Sequence, residues 1–145
     1  MNIKLFIITL IFSLANFAYA GSGSAILSHW SGQASTNTST FLYLSNVSDN
    51  TINVSVTFYD DFGNPTPATS FSNFINGDTQ LSPKSTGQIL IRPPSRKNGF
   101  AVIEWSNLYG DDNQVALVAT GLRIVVNSSS RRADTIIPIN DGKPF

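Results

Sequence analysis

The chain has 145 residues, with 9 basic and 9 acidic side chains, one histidine and no cysteine. The absence of cysteine excludes disulfides, thiolate metal sites and thiol catalysis. The length fits one domain, and the sparse, balanced charge differs from the basic surface of a nucleic-acid-binding protein, so no nucleic-acid partner is expected.

Residues 1–20 have the pattern of a secretory signal peptide. Lys4 precedes a mainly apolar run at residues 5–17, and the small-x-small triplet at residues 18–20 predicts cleavage after Ala20. The alternative is a retained membrane anchor, but a span needs about 20 apolar residues and this run is shorter. We therefore expect a periplasmic or secreted protein without stable membrane insertion after cleavage.

The next segment, residues 21–39, predicts a flexible leader with a candidate edge strand in "AILSHW". A β-sandwich domain is expected over residues 40–145. Its clearest strand is "TINVSVTFYD", where apolar and polar side chains alternate with the period of two that only a strand uses. The polar connector "VSDN" before it predicts an antiparallel hairpin with the preceding strand, residues 41–44.

Further strands are predicted along the rest of the chain. The segments that indicate them are "TGQILI", "GFAVIEW", "VALVATGLRIVV" and "TIIPI", with a bend or bulge expected at Gly121 in the third. Turn signals separate them, and no helical stripe is present. Seven or eight short strands of this kind indicate an all-β fold, a single antiparallel β-sandwich with immunoglobulin-like or related topology.

The order of these segments resembles that of a known family. A strand ending "LSN", then "INVSVTFYD", "LSPKSTGQILI" and "GFAVIEW", is similar to the sensory-rhodopsin-transducer-like family over residues 40–139. The resemblance implies a compact sandwich that oligomerises and binds partner proteins or sugars. That family is typically cytoplasmic, whereas this chain begins with an export signal, so no signalling partner or site residue is carried over. The "LSNVSDNTINVSV" segment also resembles immunoglobulin-like modules of exported proteins.

Few residues offer catalytic chemistry. His29 is the one histidine, and no G-x-S-x-G motif places a serine opposite it, so no catalytic residue and no cofactor are predicted. The pairs Asp60-Asp61 and Asp111-Asp112 could supply oxygen ligands to calcium, but turn chemistry is the favoured explanation, and no metal site is predicted. Glu104 is expected to face outward; if it faced inward, Arg123 on a neighbouring strand could pair with it.

Five residues are candidates for a binding surface. Trp30 and Tyr109 are placed in loops, and Tyr59 lies opposite the apolar face of its strand. Arg131 and Arg132, in a polar hairpin loop, could bind a carboxylate or phosphate. Trp105, by contrast, is assigned to the core with Ile103.

The pattern as a whole predicts a non-catalytic interaction or assembly module that binds a protein partner. The alternative is a carbohydrate-binding module that uses loop aromatics, assisted by calcium, and a hydrolase is a more remote alternative. Self-association into a homo-oligomer could cover exposed edge strands.

Overall fold

The computed structural model describes residues 21–108, 110–126 and 132–145. The chain forms two antiparallel sheets that pack as a β-sandwich, which confirms the predicted fold class. The strands are β1 (Ser22–Gly32), β2 (Thr38–Asn46), β3 (Ile52–Asp60), β4 (Pro65–Thr66), β5 (Ser70–Ser72), β6 (Gln80–Leu81), β7 (Thr86–Ile91), β8 (Lys97–Asn107), β9 (Leu117–Val126) and β10 (Arg132–Pro138). Two short 3₁₀ turns, Ala34–Thr36 and Asn140–Gly142, complete the described elements.

The first sheet has the order β1-β8-β3-β4, with β6 also paired to β3, and the second has the order β10-β9-β2-β7-β5. Strands β4, β5 and β6 have only two or three residues each, so seven longer strands build most of the sandwich. Within the described ranges, no helix has the length and hydropathy needed to cross a membrane.

Side chains alternate in direction along each strand, and the apolar ones that face the space between the two sheets form the core. Ile52, Val54 and Phe58 of β3 are buried, as the period of two predicts, and Val56 packs partly buried against them. The predicted core pair on β8, Ile103 and Trp105, is buried as well. The other fully buried large side chains come from both sheets and from the segment after β10: Leu27, Trp30, Leu42, Leu44, Leu81, Ile89, Ile91, Leu117 and Ile139.

The predicted hairpin between β2 and β3 is wrong, because these strands belong to opposite sheets. The connector is an arch held by the buried side chain of Asn46. Its amide nitrogen donates to the carbonyls of Asn50, Leu81 and Ser82, and its oxygen accepts from the backbone N–H and hydroxyl of Ser48. These bonds satisfy the polar groups of a chain that crosses from one layer to the other.

The segment predicted as a flexible leader with a candidate edge strand contains an eleven-residue edge strand at residues 22–32, longer than the "AILSHW" segment. Strand β1 pairs with β8 and contains a bulge: Leu27 lies opposite Ala101 and Trp30 opposite Gly99, so Ser28 and His29 share the single partner position of Phe100. A bulge of this kind shifts the alternation by one residue. Leu27 and Trp30 can therefore both face the core although they are three residues apart.

The bulge predicted at Gly121 does not occur, since β9 keeps an unbroken register with both neighbours through that position. Gly121 instead allows close packing between the sheets. A Cβ atom added there would lie 2.6 Å from Cδ1 of Leu27. A side chain at this position would thus push β1 away from β9.

Two isoleucines on neighbouring strands test this assignment of core and surface. Ile103 is fully buried, whereas 59% of Ile26 is exposed. We expect Ile103→Ala to lower the free energy of unfolding by about 2–5 kcal/mol, because it leaves a cavity. The matched Ile26→Ala should change it by no more than about 0.5 kcal/mol. Urea denaturation followed by tryptophan fluorescence measures both; equal losses would contradict the placement of the core.

Candidate functional site

The charged side chains divide between the two ends of the sandwich. All four described arginines lie at or near the end where β1, β3, β7 and β9 finish, which we call the arginine end: Arg92, Arg96, Arg123 and Arg132. Lys97 and three carboxylates, Asp60, Asp61 and Asp134, lie there too. The opposite end holds two lysines, Lys84 and Lys143, and five carboxylates, Asp49, Asp78, Asp111, Asp112 and Asp141.

A cleft of about 280 Å³ opens beside the last residues of β1 at the arginine end. We call it the arginine cleft. Its described lining residues are polar apart from one glycine and include no carboxylate: His29, Ser31, Gly32, Gln33, Thr36, Thr38, Arg96, Asn98 and Arg123. The three ion pairs among the described residues are Lys84–Asp49, Lys97–Asp60 and Arg132–Asp134, so neither arginine of the cleft belongs to one.

Ser31 connects the two sheets beside the cleft, because it forms hydrogen bonds with one residue of β2 and one of β9. Its backbone N–H donates to Thr40 Oγ1 at 3.1 Å, and the Thr40 hydroxyl donates to the Ser31 carbonyl at 2.9 Å. Arg123 Nε donates to Ser31 Oγ at 2.6 Å. Since Thr40 lies directly opposite Arg123 in the second sheet, these bonds join the edge of one sheet to the interior of the other.

This bond to Ser31 also orients the Arg123 guanidinium. Arginine has five N–H donors in a rigid plane, and Ser31 accepts from Nε alone. A guanidinium already fixed in place loses less conformational entropy when it binds a carboxylate or phosphate. Arg96 approaches the cleft from the β7–β8 connection on the exposed side, and His29 approaches from the β1 bulge.

The three predicted binding residues that the structure describes do not form one surface. Trp30 was placed in a loop, which is wrong: it is fully buried in β1, where its indole N–H lies 3.0 Å from the carbonyls of both Tyr59 and Phe100. Tyr59 is half-buried on the outer face of the first sheet, stacked on Phe100. Arg132 begins β10 and pairs with Asp134, whose hydrogen bond raises the pKa of Arg132 above its ordinary value. Tyr109 and Arg131 lie outside the described residues.

Two further expectations can be compared with the fold. Glu104 faces outward, as predicted, while Arg123 lies in the other sheet, so a pair between them on neighbouring strands is wrong. Asp60 acts in a turn. Its Oδ1 accepts from the N–H groups of Phe62 and Asn64, and its Oδ2 accepts from Lys97 Nζ at 3.2 Å. Among the described residues, no three His, Asp or Glu side chains group in a way that could hold a metal ion.

The cleft residues Arg96, Asn98 and Arg123 were not predicted as binding residues. Arg96 stands in the connector "PPSRKN", and Arg123 interrupts an apolar strand, which is the one signal in the sequence that could have singled it out. An arginine inside such a strand needs a polar partner or solvent. Here the partner is Ser31, 92 residues earlier in the chain.

A scan against protein-family models found no match, and a search of curated proteins found none either. Among solved structures, the crystal structure of Thermotoga maritima 1070 matches with 16% identity and a TM-score of 0.49, over 85% of this chain and 98% of that one. A sugar phosphate isomerase from a cupin superfamily, from Silicibacter pomeroyi, matches with 13% identity and a TM-score of 0.14, over 87% of this chain and 66% of that one.

These comparisons correct the predicted function. The sequence predicted a non-catalytic module that binds a protein partner, with a carbohydrate-binding module or a hydrolase as alternatives. One of these structural neighbours is described as a sugar phosphate isomerase. The prediction of a non-catalytic module that binds a protein partner is not retained. Both TM-scores lie below 0.5, and no reaction or substrate is transferred from either protein to this chain.

The hydroxyl of Thr40 can be tested by an isosteric change. Thr40 is fully buried, and Thr40→Val removes both of its bonds to Ser31. We expect the free energy of unfolding to fall by about 1–3 kcal/mol, because backbone groups of Ser31 lose their partner. Thr120→Val, on the outer face of β9, is the control and should have little effect. Denaturant titration measures both, and equal stabilities would contradict the importance of these bonds.

Asp60 gives a prediction for the dependence of stability on pH. The N–H of Asn64 and, more weakly, Lys97 and the N–H of Phe62 hold the pKa of Asp60 below its ordinary value, although burial acts in the opposite direction. Because this pKa is lowered by folding, the stabilisation is present above the unfolded pKa of about 3.9 and disappears as the pH falls through the folded value.

We therefore expect Asp60→Asn to lower the melting temperature at pH 7, and the difference from the unmodified protein to shrink below about pH 4. Asp61→Asn removes the neighbouring exposed carboxylate and should have a much smaller effect. Thermal melts followed by circular dichroism between pH 3 and pH 7 provide the measurement. A difference that stays constant over this range would show that the charge of Asp60 is unimportant.

Proposed function

We propose that this protein binds a small molecule bearing a phosphate or carboxylate group in the arginine cleft. The observation that carries the proposal is the convergence of Arg96, Arg123 and His29 on a cleft whose lining contains no carboxylate. Guanidinium groups match the planar, two-oxygen geometry of carboxylates and phosphates. A bound oxyanion would supply the negative charge that the lining of the cleft lacks.

The polar side chains around the arginines support the same class of ligand. Gln33 and Asn98 can each donate and accept, and Thr36 and Thr38 add hydroxyls, so the oxygens and hydroxyls of a small polar ligand would find partners. The volume of about 280 Å³ is at the lower end of the range for small-molecule sites. A compact ligand, of the size of a phosphorylated or carboxylated metabolite, fits these properties.

The amino-terminal segment supports a place of action for this binding. The apolar run at residues 5–17 followed by small residues before Gly21 is typical of export, so we propose that the ligand is met in the periplasm or outside the cell. The proposal assigns no reaction to the cleft.

Substitution of the arginines tests the proposal, with Arg92 as a matched control. Arg92 lies at the same end but lines a different cleft, so Arg92→Gln removes the same charge without touching the proposed site. Isothermal titration with inorganic phosphate and with acetate is the measurement. We expect Arg96→Gln and Arg123→Gln to weaken binding at least tenfold, since a hydrogen bond to a charged group contributes about 1.5–3 kcal/mol.

Arg123 also bonds to Ser31, so the melting temperature of Arg123→Gln must be measured beside its affinity. The Arg96→Gln variant has no such bond and separates binding from folding. If Arg92→Gln weakened binding as much as Arg96→Gln, the attraction would come from the general charge of this end, and the proposed site would be wrong. The absence of binding by either anion at millimolar concentration would also overturn it.

A further inference from the structure

An exposed aromatic ring lies next to the arginine cleft. Phe100 and the cleft residue Asn98 are two positions apart on β8 and share its outer face, which puts their Cα atoms about 6–7 Å apart. Phe100 is 39% exposed although it lies in the middle of the sheet. After Asn98 of the cleft lining, the next outward-facing residue of β8 is therefore an exposed aromatic side chain, Phe100.

The β1 bulge brings a second cleft residue to the same ring. Ser28 and His29 occupy the position opposite Phe100, and His29 is part of the cleft lining. Bulges re-aim side chains and are frequent beside functional sites. Phe100 is thus a neighbour of two cleft residues, Asn98 along its own strand and His29 across on β1.

One face of the Phe100 ring is already covered. Tyr59 on β3 stacks on it with ring centroids 5.1 Å apart and an angle of 19° between the ring planes. Because β3 and β1 lie on opposite sides of β8, the ring face away from Tyr59 lies on the β1 side. Tyr59 fixes the orientation of the ring before any ligand arrives, which reduces the entropy lost on binding.

The surface stays apolar beyond Phe100. Val102 follows it on the outer face of β8, and its partner on β1 is Ile26, which is 59% exposed. Charged and polar groups therefore lie at the end of the sheet, and an aromatic and aliphatic strip lies immediately beside them. A ligand with an anionic group at one end and a flat apolar body at the other matches this order.

We propose that the ligand of the arginine cleft carries an aromatic ring, which packs against the exposed face of Phe100 while its phosphate or carboxylate binds Arg96 and Arg123. This inference rests on the proposed function and narrows it to aromatic phosphates and carboxylates. Offset or edge-to-face packing of aromatic rings adds to the affinity beyond the area that it buries.

Two probes of equal charge isolate the ring. Phenyl phosphate and methyl phosphate present the same anion, so the ratio of their dissociation constants reports the ring alone. We expect phenyl phosphate to bind roughly two- to tenfold more tightly, the range that corresponds to the usual strength of an aromatic pair. Saturation-transfer NMR should show the phenyl protons in contact with the protein.

Phe100→Ala should abolish this ratio and leave the affinity for methyl phosphate unchanged, and Phe100→Leu should restore only part of it. Phe62→Ala is the control, because Phe62 is 85% exposed at the same end of the sandwich but follows β3, on the side of β8 away from β1 and the cleft. Thermal melts of each variant establish that the fold is retained. The more conservative Phe100→Leu variant keeps the test informative if Phe100→Ala is unstable.

The outcomes separate the two proposals. If both probes bind equally, or if the ratio survives in Phe100→Leu and Phe100→Ala, the ring contact is wrong and the anion site stands. If neither probe binds, both proposals fail. If Phe100→Ala changes the sedimentation coefficient and not the ratio, the exposed ring serves contacts between copies of the chain, which also overturns the inference.

Discussion

The hydrogen bonds of Ser31 connect the two layers of this sandwich at the point where the proposed site lies. The Thr40 hydroxyl bonds both backbone groups of Ser31, and Arg123 bonds its side chain, so β1 is tied to β2 and β9 without sharing a sheet with them. The ladder with β8 fixes β1 within its own sheet, but hydrophobic packing against the other sheet is non-directional. The hydrogen bonds of Ser31 to the buried Thr40 and the half-buried Arg123 fix the end of β1 against the second sheet. They therefore also fix the cleft residues on β1.

Positive and negative side chains are separated along the length of the strands. The arginines gather at one end of the sandwich and most carboxylates at the other, although the formal charge of the whole chain is balanced. The net charge of the chain does not reveal this arrangement, because the positive charges at one end and the negative charges at the other cancel in the sum. An approaching anion would be drawn to one end and repelled from the other, an effect that weakens as salt is added.

The sequence predicted those features that depend on local alternation. The period of two in β3, the burial of Ile103 and Trp105 and the outward position of Glu104 follow from side-chain direction within one strand. Features that depend on which strands meet were not accessible. The β2–β3 arch has the turn residues of a hairpin, but β2 and β3 pair with other strands, and the buried amide of Asn46 in the arch bonds to Leu81 and Ser82, some 35 residues away.

The sequence did not predict the arginine cleft, for the same reason. Arg96 and Arg123 are 27 positions apart and each looks ordinary in its own segment, and they converge only because the two sheets bring the ends of β1, β8 and β9 together. Trp30 was placed in a loop, but it lies in a strand whose period of two is interrupted. The extra residue in β1 lies just before the tryptophan.

The extra residue divides β1 into two halves, and the inward-facing positions shift by one residue between them. The amino-terminal half keeps its own set of inward residues, ending at Leu27, and the carboxy-terminal half begins a new set at Trp30. Removing one of the two residues between Leu27 and Trp30 would restore the regular alternation and leave both side chains facing the interior. The interior therefore does not require the extra residue, whose effect falls on the cleft side of β1, where His29 lies.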